Sequence, residues 1–512
     1  MELMDDKKQR GLRRSLICLC AAETVMMINT TAFNVALPSI SESFAAGTDA
    51  QQWIVSSYNL VFAAVVLLAG FAGDRIGHAR TMIAGLWLFV VASVIGVFAG
   101  NIPMLLASRA LMGAGAGIVI PMGQALLSLM FQGGGLSGAM TAWAIAGTLG
   151  VPFGPLVGGV LTATLGWRGI FGFDGVVFLV VIILVWASTS RGGVSRRGGK
   201  LQVPWASVAM MFAGFSLFSA GLVNAQHGFL ALTSWAPMLG GLMLIAGFVL
   251  HDRVSRNPLM ELGLMRDRSF AACAPALMML NFSMYGIIFI MPAYLETVLR
   301  HGVLVGGLML TPLVVASIVG SLSNSHIASR IGLRGTSLLA LAFLATGMAV
   351  MGIAMRWHED IIGQAVVAAG QLLAGFGLGA GQPAMLTWAM GRVPNGRSGA
   401  GSSLLTVFRQ FGSIIGVGIF GSVQGGLYVS RFHDGALAAG LAADSSAGSV
   451  TLDFQWADGL ASTSAEALRQ VASDAYETAM LGSFVSAAAV IVVTLAIVTI
   501  LSGEASRSAR QS

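Results

Sequence analysis

Charge is scarce in this sequence. Of 512 residues, 10% are Asp, Glu, Lys or Arg, against about 25% in a soluble globular protein. The 28 basic and 22 acidic side chains are too few to coat a water-facing chain of this length. Lysine is almost missing: it stands at positions 7, 8 and 200 only. A phosphate-binding loop needs Gly-x-x-x-x-Gly-Lys-Ser/Thr, so that lysine and hydroxyl reach phosphate and magnesium. Lys200 is followed by Leu201, which excludes ATP as the energy source. Cysteine is limited to Cys18, Cys20 and Cys273, inside apolar runs, which excludes a disulfide framework. The seven histidines are scattered without a pair at metal-ligand spacing, so no metal is expected. No hydrolase elbow is present, and the chain is not read as an enzyme. The net charge of +6 and a pI near 9.6 do not indicate nucleic acid. The bases fall in short clusters between apolar runs, not in a patch interleaved with aromatics.

What is abundant is apolar surface: 56% hydrophobic residues and a mean hydropathy of +0.81. A helix crossing a bilayer needs about 20 mostly apolar residues. The chain offers about fourteen such stretches, the first starting near Ser15, others near Gly302 and Thr336, the last near Glu477. The pattern predicts an all-α integral membrane protein. Bases Lys7 to Arg14 precede the first apolar run, as in a signal peptide, but the run continues past Glu23 to Pro38, too long for one. With the N-terminus in the cytoplasm and sides alternating, 21 of the 28 bases fall on inward segments and 5 on outward ones. Arg109 and Arg409 lie within spans. That asymmetry predicts a multi-pass protein of a cell membrane, of the bacterial inner-membrane type, with both termini cytoplasmic.

An internal echo divides the chain. Arg75-Ile76-Gly77 recurs as Arg330-Ile331-Gly332, 255 residues later, each time after an inward-running span. Gly150, Gly154 and Gly158 recur loosely as Gly412, Gly416 and Gly421. Residues 1–200 are read as one six-helix bundle, 256–512 as a second, and 201–255 as two linking spans without an echo. The segment 426–476 reads as an acidic outward loop whose later part, from Ala465, is helical. The run Gly113-Ala114-Gly115-Ala116-Gly117 lies within an apolar span and is read as helix packing, not as a dinucleotide loop.

Several motifs then occur in order. Gly70-Phe71-Ala72-Gly73-Asp74-Arg75-Ile76-Gly77-His78-Ala79-Arg80 joins the second and third spans. Arg109 with Gly113, Gly115 and Gly117 marks the fourth. Gly150-Val151-Pro152-Phe153-Gly154-Pro155-Leu156-Val157-Gly158-Gly159 marks the fifth. Asn34-Val35-Ala36-Leu37-Pro38 and Trp167-Arg168 with Phe171 complete the set. In this order the motifs resemble those of the major facilitator superfamily, in particular its fourteen-span drug:proton antiporter branch. The resemblance implies two six-helix bundles plus two extra central helices. It also implies a conformational-switch loop at Gly70, Asp74, Arg75, Gly77 and Arg80. The antiporter motif at Gly150, Gly154, Pro155, Gly158 and Gly159 is implied to shape the interface between the halves. One departure stands out: the branch usually has aspartate where this chain has Asn29, and asparagine cannot titrate.

Ionisable residues inside spans are the strongest functional pointers, because each costs about 2.5–3.5 kcal/mol at the bilayer centre even on lenient scales. Here they are Glu23, Arg109, Asp174 and Arg409. At 1.5 Å per residue, Arg109 and Asp174 lie at a common level roughly 9 Å deep, with Asn29 close to it and Glu23 nearer the cytoplasm. A proton-driven antiporter needs a buried carboxyl that changes protonation during its cycle, which makes Glu23, Asp174 and their neighbour Arg109 the proton-coupling candidates. Asn29, Thr30, Asn34, Tyr58, Gln124, Asn281, Tyr285, Gln382 and Arg409 are the candidates for a substrate cavity. Methionines such as Met27 and Met278 could supply an adaptable apolar wall.

The expected function is export of small amphipathic toxic compounds, such as drugs or antibiotics, by alternating access in a monomeric carrier. Protons and the lipid bilayer are its other partners, and the proton gradient stands in place of any cofactor. Uptake or uniport of a nutrient by the same architecture, and a transport-inactive membrane sensor, are the alternatives.

Overall fold

The computed structural model describes residues 2–44, 48–131, 135–189, 205–225, 231–255, 260–295, 309–357, 361–394, 397–438 and 462–508. Among these the chain is helical, with no strand. Six helices come first: α1 (Glu2–Phe44), α2 (Thr48–Ile76), α3 (His78–Val97), α4 (Ile102–Met130), α5 (Gly135–Leu165) and α6 (Arg168–Thr189). A pair follows, α7 (Trp205–Asn224) and α8 (Leu232–Val254). The last five are α9 (Arg268–Ala293), α10 (Thr311–Ala354), α11 (Ile361–Met390), α12 (Ser398–Ala438) and α13 (Ser462–Ser508).

Helices cover the expected spans where residues are described, the expected starts at Pro204 and Gly302 lying outside them, and their number depends on one glycine. The spans expected near Gly302 and Thr336 fall in the single 44-residue α10, which turns at Gly332 (φ 73°). Dividing it there gives fourteen helical segments among the described residues. Among the described residues ten helices are long and apolar enough to cross a membrane, or eleven if the bent α2 counts as one crossing. Fourteen crossings are therefore not established.

Outward-facing apolar stripes confirm what surrounds these helices. Trp87, Val91 and Val94 on α3, and Val176, Val180 and Ile183 on α6, are each about half exposed or more. Spacings of three and four place each set on one helix face, and stripes this apolar are stable only against lipid.

Packing follows the echo. In the first group α1 lies on α5, α2 on α4, and α3 on α4 and α6. In the second α9 lies on α12, α10 on α11, and α13 on α10 and α12. A Cβ at Gly150 would overlap the Thr24 carbonyl, and at Gly154 the Ile28 carbonyl. Gly412 and Gly416 approach the Met278 and Phe282 carbonyls of α9 in the same way. The glycine stripe implied to form the seam between halves thus faces α1, within its own half. Small residues there let two backbones touch, the main source of affinity between helices in lipid. The side chain of Pro155 is outside the described residues, as is that of Asn34.

The two Arg-Ile-Gly turns also share their geometry. Gly77 (φ 109°) and Gly332 (φ 73°) both adopt positive φ, which a side chain would strain. Thr81 donates its hydroxyl to the Gly77 carbonyl at 3.1 Å, and Thr336 to that of Gly332 at 2.9 Å.

Two expectations change or go unanswered. The segment from 426 was read as a loop, yet α12 continues as helix to Ala438. The reason is an apolar stripe, Tyr428, Phe432 and Ala436, buried against Leu468, Ala472 and Tyr476 at the start of α13. Residues 439–461 and the expected boundary at 200–201 lie outside the described residues.

Gly154→Leu should force α1 and α5 apart at a cost of about 1–3 kcal/mol, while Gly159→Leu, where a Cβ meets nothing within 4 Å, should be tolerated. Thermal melting followed by size-exclusion in detergent should show several degrees lost in the first variant and less than one in the second.

Candidate functional site

Two buried polar clusters occupy the interior. The first lies wholly within the first helix group. Asn29 on α1 donates its amide to Oδ2 of Asp174 on α6, both 1% exposed. Arg109 on α4, 2% exposed, stacks its guanidinium over Phe33 (4.1 Å) and Tyr58 (4.7 Å). It also lies within the electrostatic field of Asp174. A guanidinium between two aromatic faces and a carboxylate is held by cation–π attraction and charge, which lets a cation persist in a low-dielectric interior. The shared depth expected for Asn29, Arg109 and Asp174 is what brings them together.

The second cluster lies between the halves, around a narrow cavity. The first half supplies Glu23, Met27, Phe62, Ile120 and Gly147. From the second come Asn281, Met284 and Tyr285 on α9, Gln382 on α11, and Thr406, Arg409 and Gln410 on α12. Glu23 is 1% exposed, and its Oε2 has no hydrogen-bond partner among the described residues. The same holds for Nε and Nη1 of Arg409. Arg409 is the cation that acts on Glu23, and Tyr285 lies in the field of both. Buried polar atoms without partners are expensive, so this wall is built to receive something.

The candidates divide accordingly. Glu23, Asn281, Tyr285, Gln382 and Arg409 line the cavity. Asn29 and Tyr58 belong to the first cluster, and Thr30, which donates to the Met26 carbonyl, neighbours the Tyr58 hydroxyl. Gln124 is fully buried in α4 with neither amide atom partnered among the described residues, and is not on the cavity wall. Thr406 and Gln410 were missed. A polar residue beside Arg409 inside an apolar run was the available signal for Gln410.

The switch loop joins the halves at one end. Asp74, near the end of α2, accepts from the backbone N–H of Gly399 through Oδ1 and of Ala400 through Oδ2, each at 3.0 Å. These are the unpaired donors of the first turn of α12, where the helix dipole favours a negative charge. His78 Nε2 lies 3.0 Å from the same Oδ1. Gly70 permits the approach, since a Cβ there would overlap Ser403 and the Gly399 carbonyl. Gly77 makes the turn, Arg75 stacks over Phe71 at 4.0 Å, and Arg80 is exposed. No sequence pattern marks the receiving groups at Gly399 and Ala400, because they are backbone.

Asp74→Asn keeps an acceptor but removes the charge, and should weaken this closure by about 1 kcal/mol. Spin labels at Ile76 and Arg392 should then show a several-fold loss of the short-distance population in double electron–electron resonance. An unchanged distribution would remove Asp74 from the latch.

Comparison with known proteins agrees with this geometry. The chain is 30% identical over 405 residues to the multidrug resistance protein Stp of Mycobacterium tuberculosis, covering 78% of this chain and 73% of Stp. It is 27% identical over 407 residues to the drug efflux pump JefA of the same species, covering 78% of each. Its fold matches the human organic anion transporter MFSD10 with a TM-score of 0.63 at 14% identity, over 95% of this chain and 99% of that one. Residues 19–417 match the family described as Major Facilitator Superfamily, and the chain, a multi-pass membrane protein, belongs to that superfamily.

Proposed function

We propose that this protein is a proton-coupled exporter of small amphipathic compounds, working by alternating access in the cell membrane of a bacterium. The observation that carries the reading is Glu23: a buried carboxylate with an unpartnered oxygen, on the wall of a cavity shared by both halves. Relatives that are multidrug efflux pumps support the direction of transport. The clustering of Arg on one side supports cytoplasmic termini, and on that reading the Asp74 latch closes the cytoplasmic end. The cycle follows from these parts. Glu23 takes a proton from the outside, the halves rock, and the latch opens. Glu23 then releases its proton to the cytoplasm and substrate takes its place. Asp174 is the second carboxylate. It supplies from α6 the acid that the drug:proton branch usually carries on α1, and keeps Arg109 as its counter-charge. The carrier acts as a monomer, with the proton gradient as its energy source.

In energised everted vesicles, addition of a transported drug should discharge part of the acid interior, and Glu23→Gln should abolish that discharge. A wild-type protein that moves drug without any proton signal would sink the coupling. Asp174→Asn should slow pH-driven transport at least ten-fold, and the exchange Asn29→Asp with Asp174→Asn should restore a substantial part of it. A double variant no better than Asp174→Asn would mean that the carboxylate must sit on α6.

A further inference from the structure

The cavity wall is divided by charge as well as by half. The first half contributes one ionisable group, Glu23, among apolar Met27, Phe62 and Ile120. The second contributes the opposite charge, Arg409, among mostly neutral hydrogen-bonding side chains, with Met284 its one apolar member. This division arises where the two halves diverge. Gly147 and Arg409 are 262 residues apart, the same offset as Gly150 from Gly412 and Gly154 from Gly416, so they hold equivalent places on α5 and α12. A Cβ at Gly147 would lie 3.2 Å from Oε1 of Glu23. The first half therefore keeps glycine where its acid sits, and the second puts a cation at the matching point. Each pole holds unmet capacity: an acceptor at Glu23 Oε2, donors at Arg409 Nε and Nη1.

Resting on the export reading, we propose that the cavity selects zwitterionic amphiphiles. The substrate's ammonium group takes the place of the proton at Glu23. Its carboxylate, or an equivalent anionic group, accepts the free N–H groups of Arg409, and its apolar body lies on Met27, Phe62 and Ile120. Charge balance decides between classes. A purely anionic compound at Arg409 leaves Glu23 beside a second negative charge, so it travels with a proton and not against one. A purely cationic compound leaves Arg409 unanswered. A zwitterion adds no net charge, completes both poles, and excludes the proton at Glu23 alone, as exchange requires.

The test uses the full-length protein in lipid nanodiscs and three fluorescent probes: Nε-dansyl-lysine, which carries ammonium and carboxylate, its methyl ester (cation only) and its Nα-acetyl derivative (anion only). The parent should bind at least ten-fold more tightly than either derivative. Arg409→Gln should bring the ester level with the parent, and Glu23→Gln should do so for the acetyl form. Arg409→Lys should retain discrimination against the ester, which a merely misfolded variant would not. Equal binding of parent and ester by the wild type, or no binding of any probe, overturns the assignment. Flux in everted vesicles is scored separately. Selective binding without pH-driven flux would sink the export reading and leave the site assignment standing, and pH-driven flux of the ester alone would do the reverse.

Discussion

The interior of this molecule is governed by the cost of holding charge where no water can reach it. A lone ion in hydrocarbon is destabilising by several kcal/mol, so each must be answered by an opposite charge, an aromatic face or a hydrogen bond. Arg109 is answered within one half, by Asp174 and by the faces of Phe33 and Tyr58. Glu23 and Arg409 come from different halves and meet only across a cavity. The first arrangement makes a half rigid. The second makes the electrostatics of the cavity depend on how the halves are placed, which is the physical requirement for linking an ion to a change of access.

The repeated architecture shows what duplication preserves and what it frees. Backbone geometry is kept at the two positive-φ glycines, the threonine hydroxyls that close their turns, and the glycines that seat α5 on α1 and α12 on α9. The side chains that face the cavity are not kept. Gly147 faces one acid where Arg409 supplies one base, and the two halves need not recognise the same chemical group. The linking pair is also placed to matter, since α7 packs on α2 of the first half and α12 of the second. Phe215 and Phe218 of α7 both contact Phe411.

Most of the fold was legible because lipid imposes a simple rule: long apolar helices, with bases on one side. The helix starts, the echo at Gly77 and Gly332, and the common level of Asn29, Arg109 and Asp174 all followed from spacing. The number of crossings did not, because length and apolarity single out ten or eleven helices among the described residues, while the break at Gly332 inside α10 was foreseen by the Arg-Ile-Gly echo. The extension of α12 was hidden because Tyr428, Phe432 and Ala436 are too few to register as a span, though their spacing is helical. The glycine stripe was visible but its partner was not, since glycine shows that something approaches without showing what. Within the site, charge in an apolar run exposed Glu23 and Arg409, while the backbone groups that receive Asp74 left no trace in residue type.

The turn at Gly332 repeats that at Gly77, but the residue matching Asp74 at the 255-residue offset is Ser329, which among the described residues bonds to the His326 carbonyl 2.7 Å away. The second half reaches back at other points, where Ser402 donates to the Pro121 carbonyl at 3.0 Å and Asn324 to the Thr141 hydroxyl at 3.4 Å, so the halves are tied in both directions but not by matching groups. A perfectly twofold device would idle with equal ease open to either compartment. This one ties its halves with unlike groups at its two turns, and a pump that moves cargo one way needs its closures to open at unequal cost.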